Sequence, residues 1–161
     1  MTESGFTGNW DKAISDLDHL GTNVLNAVKL TTHQNALILQ ATITKHFQNQ
    51  DLGWAALKKG YPEWKAAHGL SNQILIATST LMQSITTNIV DGGMTAFVGV
   101  LRQSSRKDGA DPISIAAVHE FGSEARSIKK RPYLIPSLKE DQPKMKERYV
   151  KAITDILSEV G

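Results

Sequence analysis

From Trp10 onward the apolar positions Ile14, Leu17, Val24, Leu25 and Val28 recur at three- and four-residue steps, an amphipathic helical pattern that Gly21 interrupts or re-phases. Ala36, Leu37, Ala41 and Phe47 predict a second helical stretch to about Phe47, with Thr31 or Thr32 placed to cap it if the chain breaks there. Residues 49–53 read as a turn. Trp54, Leu57, Tyr61 and Trp64 then gather large side chains around the Gly60-Tyr61-Pro62 break, and a cluster of that size is expected in the core. Residues 74–77 form a short apolar run, after which Thr78 is placed to cap a helical turn holding Leu81 and Met82.

The pattern then changes period. Ile85, Thr87 and Ile89 alternate with polar residues, Asp91-Gly92-Gly93 tolerates positive φ, and Met94, Ala96, Val98 and Val100 resume the alternation, which predicts a β-hairpin. Residues 102–110 are polar, charged and aperiodic, so a mobile loop is expected there. Asp111 as N-cap and Pro112 at the first helical position open a short helix whose face holds Ile113, Ala116, Ala117 and Phe121, and Gly122 ends it. In residues 128–136 two prolines favour extended geometry at Arg131 and Ile135, predicting a strand or tether. Ser137 and Glu140 stand at capping-box spacing before a C-terminal helix carrying Met145, Tyr149, Ile153, Ile156 and Val160, which Pro143 is expected to bend or restart. The sum is one α+β domain over residues 1–161. Its small antiparallel sheet, the hairpin at 85–101 plus short strands, packs against N-terminal and C-terminal helices.

Composition adds an asymmetry. The chain carries 18 basic and 16 acidic side chains, a net of +2, but residues 1–53 sum to −2 and residues 126–151 to +6. Such a patch steers acidic protein surfaces or phosphate backbones toward it, although a solvated loop and helix face is the simpler account. There is no cysteine, which removes thiolate chemistry and disulfides. No apolar run approaches the length of a membrane span and no leader pattern opens the chain, so neither a membrane segment nor an export signal is expected.

Little in the chain points to catalysis. The five histidines, His19, His33, His46, His68 and His119, are not spaced as metal ligands, and neither a nucleophile elbow nor a phosphate-binding glycine loop is present. No catalytic, cofactor or metal residue is assigned. The adjacent His119-Glu120 invites an acid–base reading, but neighbours on a helix point about a quarter turn apart. Glu120 is better placed to pair with Arg126, Lys130 or Arg131, tying its helix to the extended segment after it.

Several pieces together resemble the phage virion-morphogenesis and tail-completion (neck) proteins, including the Mu G-like and HK97 gp10-like groups. They are Phe47, Trp54 to Leu57, Tyr61 and Lys65, residues 74–85, the hairpin, and above all His119-Glu120-Phe121-Gly122 followed by Arg131-Pro132-Tyr133-Leu134, which looks like the family's HEFG and RPFL pair. The resemblance spans about residues 47–138. Two departures stand out: Ser79 occupies a position where such proteins usually carry glycine, and Lys129-Lys130 replaces a segment that often holds proline.

The resemblance implies a non-enzymatic virion protein of the neck or tail end, formed in the host cytoplasm and retained in the particle. It further implies a ring of copies with six-fold symmetry, in contact with the tail tube protein and the head–tail connector or adaptor proteins, with DNA passing through the lumen and no membrane partner. For such a ring the acidic N-terminal region and the basic 126–151 region are natural opposite partners. The interface candidates are Glu120, Arg126, Lys129, Lys130, Arg131 and Tyr133, with Arg102, Arg106 and Lys107 from the loop. Three other readings stay open: a connector-side adaptor, a nucleic-acid-binding module using the basic region, and an enzyme with a site near His119 and Glu120.

Overall fold

In the computed structural model, which describes residues 8–101 and 111–159, one helix replaces the two expected near the N-terminus. This helix, α1 (Trp10–Asn49), runs unbroken for 40 residues, about 60 Å at the α-helical rise. Gly21 does not break it, because a glycine in a solvent-facing helix interior costs only about 1 kcal/mol relative to alanine, and a Cβ there would meet nothing within 4 Å. Thr31 and Thr32 are interior positions, not caps. Their hydroxyls donate to the Ala27 and Val28 carbonyls one turn back, at 2.8 and 2.9 Å. The helix closes at Gln50, which takes a left-handed conformation with φ 57°. The Gln50 amide donates to the Ile74 carbonyl at 3.1 Å and accepts the Ile74 N–H at 2.8 Å, fastening the 74–77 run to the end of α1.

The hairpin forms where the alternation predicts it. β1 (Ile85–Val90) pairs antiparallel with β2 (Thr95–Val100), from Ile85 opposite Val100 to Val90 opposite Thr95. Its tip touches α1 at Gly93, where a Cβ would come within 3.0 Å of the Lys29 side chain. Its base is held by Gln40, whose amide donates to the Ile85 carbonyl at 2.8 Å. The hairpin therefore lies lengthwise along the middle of α1. Among the described residues the sheet has these two strands alone, and the further short strands reduce to one bridge between Ser123 and Ile128.

Three short helices follow the chain: α2 (Tyr61–Ala67), α3 (Thr80–Gln83) and α4 (Pro112–Phe121). Position 79, not Thr78, caps α3. Ser79 sits at φ 59° without a side-chain cap bond, the left-handed conformation that favours glycine, while the Thr78 hydroxyl bonds that of Thr80 at 2.7 Å. The opening of α4 is as predicted, with the Asp111 carboxylate accepting the N–H groups of Ile113 and Ser114 at 3.2 Å.

The last helix, α5 (Leu134–Ser158), begins a turn earlier than the capping-box spacing suggested. Ile135 is helical, because Pro136 falls in the first turn, where a missing N–H costs nothing. Ser137 is buried and donates its hydroxyl to the Tyr133 carbonyl at 2.6 Å. Pro143 does not end the helix. Contacts to α1 hold α5 on both sides of it: Glu140 lies 3.2 Å from the His46 ring, and the Tyr149 hydroxyl 2.7 Å from that of Thr32. These pairings make α1 and α5 antiparallel.

The core gathers Leu39, Ile43 and Phe47 of α1 with Trp54, Ile76, Ile85 and Tyr133. Phe47 packs edge-on against Trp54 and Tyr133, at 5.6 and 4.9 Å between ring centres. The other aromatics expected there lie outside it. Tyr61 and Trp64 are exposed and stack in a row with His68, at 5.6 and 4.2 Å. Phe121 is likewise 71% exposed and Ala117 exposed, so the buried face of α4 is carried by Ala116 and Glu120. Residues 102–110, with Arg102, Arg106 and Lys107, lie outside the described residues. No described helix is long and apolar enough to cross a membrane.

Candidate docking cleft and the clamp that builds it

Ala116 and Glu120 are one helical turn apart, so burying the small alanine turns the Glu120 carboxylate inward as well. It is 4% exposed and meets the first turn of α5. Oε2 accepts the N–H groups of Tyr133 and Leu134 at 2.8 and 3.0 Å, and Oε1 accepts that of Ile135 at 3.0 Å. Pro136, next in line, has no N–H to satisfy. A helix start leaves these donors unpaired and carries partial positive charge, so a carboxylate is the natural partner.

Gly122 allows the chain to return. It stands at φ 84°, and a Cβ on it would lie 3.1 Å from the Lys130 nitrogen and 3.2 Å from the Ile128 oxygen. Any larger residue would push the returning strand away. Ser123 and Ile128 exchange backbone bonds at 2.9 Å, and the Arg131 N–H donates to the His119 carbonyl at 2.6 Å. The Arg131 guanidinium donates to the carbonyls of Ala55 and Ala56 at 3.0 and 3.2 Å, and the Trp54 indole to the Pro132 carbonyl at 2.7 Å. The 119–122 and 131–134 segments thus form one clamp, which also holds residues 54–56.

Beside the clamp, residues 56–61 face residues 126–131 across a half-open cavity of about 630 Å³. Leu57, Tyr61 and Ile128 supply apolar wall, Lys58, Arg126, Lys129 and Arg131 supply cations, and among the described residues the lining holds no carboxylate. A smaller cavity of about 190 Å³ adjoins it, sharing Leu57, Tyr61, His119 and Arg131. His119 stands between them with Nδ1 buried and unpartnered among the described residues. Burial, and then the nearby Arg131 charge, push His119 below its usual value, so it is neutral at neutral pH. Glu120 points elsewhere and does not orient its imidazole.

The interface candidates therefore separate. Arg126, Lys129 and Lys130 are exposed, and Arg126 and Lys129 line the larger cleft with Arg131. Lys130 faces a neighbouring hollow that contains Phe121 and Gly122. Arg131 is partly buried, its guanidinium on backbone carbonyls. Glu120 is engaged inside the chain and makes none of the expected bonds to Arg126, Lys130 or Arg131. Tyr133 is no surface anchor, since it is fully buried against Phe47. Burial, and then the Glu120 charge, push its phenol far above the usual value.

The chain is 30% identical over 112 residues to the uncharacterized protein MJ0331 of Methanocaldococcus jannaschii, a match covering 68% of this chain and 76% of the archaeal one. The chain belongs to the family of that protein. No family profile matches the chain, and no solved structure matches it.

In this family member, sequence reasoning missed half of the cleft. Lys58, Leu57 and Tyr61 face the basic loop because Arg131 reaches residues 55 and 56 across a separation of about 75 positions. No local pattern marks such a pairing. No spacing marks Phe121 as exposed, because Ile113, Ala117 and Phe121 follow the same four-residue step as Ala116 and Glu120.

Proposed function

We propose that this protein is a non-enzymatic structural component of a tailed phage particle, acting at the neck or tail end and joining tail to head as a ring of copies. One observation carries this reading. The two segments that resemble the tail-completion proteins are engaged with each other, and the loop between them presents a basic rim outward at Arg126, Lys129 and Lys130. Exposed cations around an apolar hollow suit reversible docking to sister copies, the tail tube protein and connector-side proteins. The six-fold symmetry of the ring is carried over from the resemblance.

Locating the density of this chain in intact particles tests the proposal. A ring between portal and tail tube is expected, and its place relative to them distinguishes tail terminator from connector-side adaptor. Mature particles that contain none of the polypeptide contradict it. The exposed cations also favour a second reading, duplex DNA bound at the same rim. That reading requires affinity that falls steeply with salt, and a flat response in a mobility-shift assay removes it.

A further inference from the structure

The N-terminal end of α1 is open to solvent. Every residue from 10 to 19 is exposed, including Ile14 at 57% and Leu17 at 66%. Helical geometry sorts this end into two faces. Lys12 and Asp16 pair with each other at 2.6 Å on one side, which cancels their charges locally. Asp11 and Asp18 lie on the other side, bordering the Ile14–Leu17 strip. The net result is an apolar strip edged by negative charge. The cleft has the complementary character, with apolar Leu57 and Ile128 among Lys58, Arg126 and Lys129 and, among the described residues, no acid in its lining.

We propose that the cleft between residues 56–61 and 126–131 receives the projecting N-terminal end of α1 from a second copy of this chain. The proposal rests on the ring reading above and names its contact. A chain cannot fill its own cleft, because the cleft lies near the Phe47 end of α1, and Leu17 is thirty positions away along one continuous helix, about 45 Å. Donor and acceptor at opposite ends make the contact heterologous, so it passes from copy to copy until rotation closes a ring. A ten-residue helix end is a small contact beside the ~1,600 Å² of a standard stable interface. Single pairs are therefore weak, and closure of the ring supplies the persistence.

The absence of cysteine makes the test clean. The full chain carrying Leu17→Cys with Ile128→Cys is oxidised and compared with a chain carrying Leu17→Cys with Val150→Cys, a control position exposed on α5. Only the first pair should give a ladder of cross-linked copies, since a disulfide requires Cα atoms within about 7 Å. In parallel, sedimentation is measured for Asp11→Lys/Asp18→Lys, for Lys58→Glu/Lys129→Glu, and for all four together. Each double change should weaken association about tenfold or more, and the combination should restore it. If the unmodified chain assembles but neither cysteine pair cross-links preferentially and charge reversal has no effect, the contact is wrong and the ring reading stands. If the unmodified chain stays monomeric at every concentration, both fall.

Discussion

The Glu120 carboxylate accepts the backbone N–H of Tyr133 at 2.8 Å. The end of α4 thereby caps the start of α5 thirteen residues later, and the intervening loop closes on itself. Backbone amides win this carboxylate over Arg126, Lys130 and Arg131 because the helix start presents them already oriented. A long basic side chain would instead lose rotamer entropy to meet the carboxylate.

Removing that acceptor leaves three N–H donors without their partner. Glu120→Ala is expected to cost about 3 kcal/mol or more in urea unfolding. Glu120→Gln, which sets an amide NH2 against at least one of the donors, should cost about 2 kcal/mol. A surface interface residue would show neither loss in the isolated chain.

Tyr133 offers a contrast between ring and hydroxyl. Its hydroxyl is buried without a hydrogen-bond partner among the described residues, so Tyr133→Phe should leave the melting temperature unchanged or raise it. Tyr133→Ala empties the space against Phe47 and should cost about 3–5 kcal/mol. Thermal unfolding of the two variants distinguishes a core ring from an assembly anchor.

Two glycines should respond in opposite directions to alanine. Gly122→Ala meets a positive φ and backbone atoms at 3.1 and 3.2 Å, so it is expected to destabilise by more than about 1 kcal/mol. Gly21→Ala adds a methyl to an open helix surface and should stabilise by about 0.5–1 kcal/mol. Chemical denaturation of both variants checks the signs.

His119 should make the fold sensitive to acid. Its value in the folded chain lies below 6.5 because burial, and then Arg131, disfavour the imidazolium. The unfolded chain then binds the proton more readily, so stability falls as pH drops below about 6.5 and levels off below the folded value. His119→Asn should flatten that part of the profile. Asp51 acts at lower pH: its hydrogen bond to His46 holds the carboxyl below 3.8, a contribution present above that value and lost as pH falls through the folded one. Unfolding measured from pH 4 to 8 isolates the histidine.

Local rules made the hairpin and the opening of α4 legible, since alternation, positive-φ residues and an Asp-Pro start act within a few positions. They misjudged α1 because the cost of Gly21 is small and Thr31 and Thr32 satisfy their hydroxyls inside the helix. Pro136 reads as a helix excluder until its place in the first turn of α5 is known. The candidate site was half legible: the basic loop is plain from charge, whereas its opposite wall at residues 56–61 arrives through contacts distant in sequence. The inward turn of Glu120 was hidden for the same reason. Its partners are backbone N–H groups, which every residue but proline carries.

Amide hydrogen exchange at Tyr133, Leu134 and Ile135 tests most directly whether the 119–122 and 131–134 segments hold each other. In the unmodified chain these three amides should rank with the best protected, and Glu120→Ala should strip their protection while core amides such as that of Ile43 keep theirs. Rapid exchange at all three in the unmodified chain, or protection unmoved by the substitution, would contradict the clamp.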